Sequence, residues 1–330
     1  MWFQSCILLL SLLVLSPPIV RADDDNIIGP ELDRIGLTLF SEFPRLEASG
    51  LVWLPHDNLL CGVSDRGDIF LVNPDNISEY YVAEDVLGED GGNAVYSDFE
   101  GVSFDPYLIE TEDERHVYVA SEDPAALLKF RYELPSNNND DPHSFASIAL
   151  TKIVLLNDAL PSFEDGRGVE SLTLYRPSTA SSSALFFVGL QDNGVIYTID
   201  AEGRQATNDI ELDEDGVSGS HYDASTDTLF LLYDQSNMIA AVNVARKRVV
   251  ASFKTRETQE EGLAIRGDRL YIASDEGGNN PSFIAEHAWF PNSVPVPEAS
   301  GQTTTASAAA RVVTSSAAAV AATVLLLLLW

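Results

Sequence analysis

The sequence predicts an all-β protein, a five-bladed β-propeller closed into a ring by its N-terminal strand. Three observations predict it. A short motif recurs five times along the chain. Each recurrence is followed by strand-forming runs bounded by turn residues. The recurrences are spaced by 51, 70, 48 and 43 residues, bracketing the period of a four-stranded blade. No amphipathic helical period competes over a comparable length.

The first strand of each unit opens on Ser or Glu, then a small residue, then an apolar run. The five openings are Ser49-Gly50-Leu51, Glu100-Gly101-Val102, Glu170-Ser171-Leu172, Ser218-Gly219-Ser220 and Glu261-Gly262-Leu263. The second strand ends on an acid or amide: Asp65, Glu122, Gln191, Asp234 and Asp275. A third strand follows as 68–72, 126–130, 194–199, 238–242 and 282–286, and a fourth as 79–83, 148–155, 206–212 and 249–253. The last unit lacks its fourth strand. Before the first unit stands an orphan, Ile35–Phe40, with period-2 alternation, and it is expected to supply that missing outer strand and close the ring. The longest step contains the polar stretch Ser136–His143, expected to be a surface loop. Six blades are the alternative if that insertion hides a degenerate one. The propeller is placed over residues 33–290.

Both ends carry addressing signals. Residues 1–22 hold an apolar run, Ile7–Leu15, ahead of Ala22 and three aspartates, the pattern of a cleaved secretory signal; the run is too short to span a membrane. At the other end a Ser/Thr/Ala-rich linker (291–310) leads to an apolar tail (311–330) that runs to the last residue. Small residues, a spacer and a terminal apolar segment form the attachment signal for a glycosylphosphatidylinositol anchor, with Ser307 as the attachment residue. A spanning helix over 312–330 is the competing reading. Either places the protein on the outer face of the cell membrane, touching lipid only through this anchor. Secretion would also expose Asn76-Ile77-Ser78, a sequon in a turn, to glycosylation at Asn76. Cys61 is the one cysteine left after signal removal, so no intramolecular disulfide forms.

Against 51 Asp and Glu stand 19 Lys and Arg, a formal charge of −32. That balance excludes an electrostatic grip on nucleic acid or anionic lipid. Removing both ends takes away Arg21 and Arg311 but no acid, so the excess belongs to the repeats. In a propeller the first strands line the central channel, so Glu100, Glu170 and Glu261 converge there, where mutual repulsion raises their pKa unless a cation sits among them. Asp65, Glu122, Asp234 and Asp275 add oxygen donors. Such a set suits Ca²⁺, and the lack of clustered Cys and His argues against zinc or copper. The same residues admit a reading without metal, in which Ser and Glu side chains accept hydrogen bonds from the neighbouring blade's N–H groups and stitch the ring together.

Other motifs carry less. Gly216-Val-Ser218-Gly-Ser220 lacks the last glycine of a nucleophile elbow, and its serine falls where other blades have Glu. Arg66-Gly67-Asp68 reads as a turn that wants Gly. The five His have no hydrolase spacing. Arg66 and Arg167 read as salt-bridge partners, with a grip on phosphate as the alternative.

With the Ser/Glu-Gly-strand-Ser-Asp/Glu pattern at 49–65, 99–122 and 261–275, the chain resembles the SdiA-regulated family of bacterial envelope proteins and, more distantly, phytase-like and gluconolactonase-type propellers. The resemblance covers about residues 33–290. It implies a secreted propeller with an acidic channel, and its enzymatic relatives use a divalent cation, often calcium, to hydrolyse phosphoesters or lactones. Ser171 in place of Gly, and Ser in place of Glu in two blades, depart from the pattern. The functional expectation is therefore a cell-surface propeller that binds a divalent cation, Ca²⁺, in its channel and presents a face to an extracellular ligand. The alternative is a Ca²⁺-dependent phosphoesterase or lactonase with its site at the channel mouth. Residues that would perform catalysis are not assigned.

Overall fold

The structure is a computed structural model. It describes residues 28–289 except for 88–95, 97, 106–114, 123, 136–142, 162–167, 177–183, 192, 207–208, 215, 256–258 and 276–281. The signal segment, the linker, Ser307, the apolar tail, most of the 136–143 insertion and Arg167 lie outside the described residues.

Among the described residues, twenty strands form five four-stranded antiparallel sheets. Strand β1 (Glu31–Ile35) and helix α1 (Leu37–Glu42) precede the first blade, which comprises β2 (Gly50–Leu54), β3 (Leu59–Val63), β4 (Ile69–Val72) and β5 (Tyr80–Ala83). Blade two is β6 (Phe99–Ser103), β7 (Arg115–Ser121), β8 (Ala126–Glu133) and β9 (Ser147–Leu155). Blade three is β10 (Val169–Tyr175), β11 (Leu185–Leu190), β12 (Val195–Asp200) and β13 (Ile210–Glu211). Blade four is β14 (Val217–Asp223), β15 (Thr228–Tyr233), β16 (Met238–Asn243) and β17 (Arg248–Lys254). Blade five is β18 (Glu260–Arg266), β19 (Arg269–Ser274) and β20 (Phe283–Ala288), completed by β1 in the order β1-β20-β19-β18. The five first strands β2, β6, β10, β14 and β18 contact one another in a closed cycle. The fold is thus a five-bladed propeller, as the repeat spacing predicts.

Its stability lies between the blades. Each of five buried clusters is shared by two neighbours; Val63 and Leu71 of blade one, for example, pack with Val119 and Phe130 of blade two. A sheet covered on both faces needs apolar residues on both, so the second strands read as near-continuous runs such as Leu59-Leu60-Cys61-Gly62-Val63, every residue of which is buried. Asn58, Asp227 and Asn237 take positive φ (57°, 52° and 48°) in the tight hairpin turns, a conformation that Asn and Asp tolerate.

The ring closure falls a few residues earlier than the alternation of Ile35–Phe40 suggests. Gly36, at φ +76°, ends β1 and opens α1, which buries Leu39 and Phe40 on the first blade's core while Leu37 is 51% exposed. Apolar residues at 35, 37, 39 and 40 fit one helical turn as well as a strand, and only Gly36 distinguishes them. The closing strand pairs antiparallel with β20, Ile35 opposite Ile284, and the Arg34 guanidinium lies 4.0 Å from the Phe283 ring centre. Ile35 is 1% exposed at this seam. Ile35→Ala is expected to cost about 3 kcal/mol in urea unfolding, the usual toll of a buried Ile truncation; a loss under about 1 kcal/mol would mean that the seam contributes little.

Three ion pairs bridge neighbouring blades at one end of the ring. Arg115 pairs with Asp57 at 2.6 Å between blades one and two, Arg176 with Asp105 between two and three, and Arg266 with Asp75 at 2.7 Å between five and one. All three sit where the first strands end. The acids of interest gather where those strands begin.

Candidate functional site: an acidic channel mouth

Four of the five inner strands begin with the same irregularity. Phe99 faces Ser121 and Gly101 faces Ala120, leaving Glu100 as the extra residue of a β-bulge. Glu170, Ser218 and Glu261 are extra in the same way, between Val169 and Ser171, Val217 and Gly219, and Glu260 and Gly262. A bulge re-aims one side chain without disturbing the strand beyond it. Here it lets an apolar residue (Phe99, Val169 or Val217) enter the core while its neighbour occupies the channel mouth.

The next residue in each blade is small for a separate reason. A Cβ on Gly50 would stand 2.7 Å from the Glu100 carbonyl oxygen, and one on Gly101 would stand 2.5 Å from the Leu172 nitrogen. Gly219 and Gly262 are confined in the same way by the inner strands of blades five and one. At these four glycines the neighbouring inner strand leaves no room for a side chain.

The second recurring column is tied to the same mouth. Glu122 N–H donates to the Asp98 carbonyl at 2.9 Å, Gln191 N–H to Gly168 at 3.3 Å and Asp275 N–H to Gln259 at 3.0 Å. Each bond links the end of a second strand to the residue two before the bulge. The Glu122 side chain also crosses to the next blade, where its Oε1 accepts the Gly168 N–H at 2.8 Å. Ser218 is a stitch as well, its hydroxyl donating to the Glu260 carbonyl of blade five at 2.6 Å. Glu122 thus accepts from the neighbouring blade's N–H as the metal-free reading expects, whereas Ser218 stitches the blades in the opposite sense, as a donor to a carbonyl.

Glu100, Glu170 and Glu261 make no such bonds among the described residues. Burial leads in pushing all three carboxyls up, and neighbouring carboxylates add to it. Glu100 is raised well above the usual range, by burial and then by Glu170, Asp98, Glu261 and Glu122. Glu170, 7% exposed, is pushed up to about 9, by burial and then by Glu122, Glu261, Asp234 and Asp98. Glu261 rises to about 7, by burial and then by Asp234, Asp275 and Asp65. Asp65 also rises to about 7, by burial and by its hydrogen bond to Glu47, while Arg66 holds Glu47 low through a two-pronged contact of 2.9 and 3.1 Å. The repulsion expected from the sequence is present, but desolvation exceeds it.

Within this mouth, Asp98, Glu100 and Glu122 each bring a carboxylate oxygen to within 4.8 Å of the other two. Among the described residues this is the one group of three or more metal-ligating side chains so placed. All three belong to blade two, and the group contains two of the seven acids that the sequence singles out. Glu170 and Glu261 act on Glu100 electrostatically without joining the group, while Asp65, Asp234 and Asp275 act on Glu261. Asp98 is absent from the repeat reading because its column, Glu47, Asp98, Gly168, Gly216 and Gln259, shares no chemistry from blade to blade. The pair Asp98-Phe99-Glu100, with one apolar residue between two acids at a strand start, is the signal that marks it.

The remaining motifs resolve as structure. Arg66 is engaged by Glu47, Gly67 turns at φ +81°, and Asp68, 7% exposed, accepts the Asp85 N–H at 2.8 Å. The Arg66-Gly67-Asp68 tripeptide is therefore a packed turn. His221 is kept neutral by burial, its pKa lowered to about 4. No described helix is long and apolar enough to cross a membrane.

No family model matches the chain, and no curated protein matches it. Among solved structures it is similar to the crystal structure of Myxococcus xanthus glutaminyl cyclase, at 9% identity over 78% of this chain and 94% of that one, with a TM-score of 0.46. At that level the likeness carries no argument about chemistry.

Proposed function

We propose that this is a cell-surface propeller of the secretory pathway that holds a divalent cation, Ca²⁺, at one mouth of its central channel and presents that mouth to an extracellular ligand. The observation that supports the reading is the Asp98, Glu100 and Glu122 cluster beside the buried Glu170 carboxyl. Three hard oxygen donors on one wall suit Ca²⁺, whose shell is loose in geometry and takes water or ligand oxygens in the places left over. Beyond burial, the groups acting most strongly on Glu100, Glu170 and Glu261 are all carboxylates, and a bound cation would compensate that repulsion. The resemblance to the SdiA-regulated family, the anchor at Ser307 and the glycan at Asn76 belong to the same proposal.

Calorimetric titration of the chain lacking residues 1–22 and the apolar tail tests it. Ca²⁺ is expected to bind at one site, and Glu100→Gln is expected to weaken it at least tenfold. No heat of binding at millimolar calcium would sink the reading. Release of the protein from cells by a phosphatidylinositol-specific phospholipase checks the anchor.

A further inference from the structure

One glycine ties the blade-two carboxylates to blade three. Glu122 follows β7, and its side chain leaves blade two to accept the Gly168 N–H at 2.8 Å. An N–H given to a carboxylate makes a charge-assisted bond, about twice as strong as one between neutral groups. Gly168 is held from its other side as well, its carbonyl accepting the Gln191 N–H at 3.3 Å. The counterparts of Glu122 in three other blades, Asp65, Asp234 and Asp275, are one methylene shorter.

Position 168 also has no space for a side chain. A Cβ there would stand 2.4 Å from the Glu122 Cγ, 2.7 Å from its carbonyl oxygen and 3.1 Å from its carbonyl carbon. Two of those atoms are backbone, so any larger residue at 168 must displace Glu122 itself. Yet Glu122 is also one of the three carboxylates that bring oxygens within 4.8 Å of one another. Beside them lies the Glu170 carboxyl, 7% exposed and without a hydrogen bond among the described residues, on which Glu122 and Asp98 both act. An unrestrained Glu122 would swing away from groups of its own sign. The Gly168 N–H opposes that with the positive end of its dipole.

Resting on the cation reading, we infer that Gly168 is a positioning residue for the blade-two site: its N–H and its lack of a side chain hold Glu122 beside Asp98 and Glu100, so that a cation bound there also clamps blade two to blade three. Linkage makes the effect mutual. What Gly168 adds to the affinity for Ca²⁺, Ca²⁺ adds to the bond between Glu122 and Gly168.

The test uses the chain of the calcium titration, labelled with ¹⁵N-glycine. Saturating Ca²⁺ is expected to slow amide exchange at Gly168 about tenfold, because opening the bond then means displacing a ligand. Gly267, in the turn between β18 and β19, is expected to exchange at an unchanged rate. Gly168→Ala is expected to weaken Ca²⁺ binding about tenfold, the usual loss when a ligand's orienting partner is removed. In a Glu122→Ala background the same change is expected to cost nothing further, since no carboxylate remains to be positioned. Parent-like Ca²⁺ affinity in Gly168→Ala would overturn the inference, as would an equal loss in both backgrounds. Exchange at Gly168 that ignores bound Ca²⁺ would overturn it too, and that measurement needs no variant to fold. A parent chain that binds no Ca²⁺ removes the cation reading itself, so the two failures are distinct.

Discussion

Gly101→Val is expected to abolish the folded ring. A Cβ at this position meets the Leu172 nitrogen at 2.5 Å, the Leu172 Cβ at 2.8 Å and the Ser171 carbonyl carbon at 2.9 Å, all on the inner strand of blade three. Two of these atoms are backbone in a strand locked to β11, so neither can turn aside as a flexible side chain would. Relief requires blades two and three to separate along a seam that buries Phe186, Leu127 and Val188. The toll exceeds about 4 kcal/mol, a large part of the stability of an ordinary domain. The measurement is thermal or urea unfolding followed by far-ultraviolet circular dichroism, and Gly267→Ala is the control. Gly267 has open space around it and only its φ of +60° to oppose a side chain, so that variant is expected to lose about 1 kcal/mol. A Gly101→Val protein that melts within a few degrees of the parent would refute the close approach of the inner strands.

The same geometry explains what sequence reading could and could not reach. The ring, its five units and its N-terminal closure are legible because each blade repeats one pattern of apolar runs and turns. Ser171 looks like a defect in that pattern, a serine where four other blades have glycine. The structure shows its compensation across the strand pair. Gly50, Gly101, Gly219 and Gly262 face Val63, Ala120, Leu232 and Ala273, whereas Ser171 faces Gly189. A Cβ on Gly189 would meet the Ser171 hydroxyl at 2.5 Å. The small residue has changed strands, and only the pairing register makes that visible.

The bulges were hidden for a related reason. Alternation assigns faces by counting in twos, and one extra residue shifts the count. The trace left in the sequence is an apolar residue directly before the recurring Glu or Ser, with the next apolar residue three places on, as in Phe99 and Val102. Asp98 lies before that break and belongs to no repeated column, so an argument built on repetition passes over it. The cation cluster is local to one blade. Repetition finds what the blades share, and the cluster depends on what blade two alone has.

Glu170→Gln is expected to make the calcium-free protein more stable at neutral and alkaline pH. Glu170 is buried, and its carboxyl, facing Glu122, Glu261, Asp234 and Asp98, holds its proton up to about pH 9, whereas the unfolded chain releases it near 4.5. The sign follows from that order. An acid whose folded pKa is raised favours the folded state fully below the unfolded value, and that advantage is lost as pH climbs from about 4.5 towards 9. Each pH step in that window costs about 1.4 kcal/mol, so the ceiling is about 3 kcal/mol at pH 7 for this one group. Glutamine fills nearly the same space with no proton to lose. Parent and variant should therefore unfold alike at pH 4 and diverge as pH rises, the variant melting higher at pH 8. Calcium should act in the opposite sense on the parent, since a cation on Asp98, Glu100 and Glu122 offsets the repulsion that adds to burial in keeping Glu170 protonated, and its stabilisation should grow with pH. Equal stability of parent and variant across pH 4 to 9 without calcium would mean that Glu170 is solvated and ionised in the folded protein. The acidic mouth would then need no counter-charge, and the physical case for a cation there would be lost.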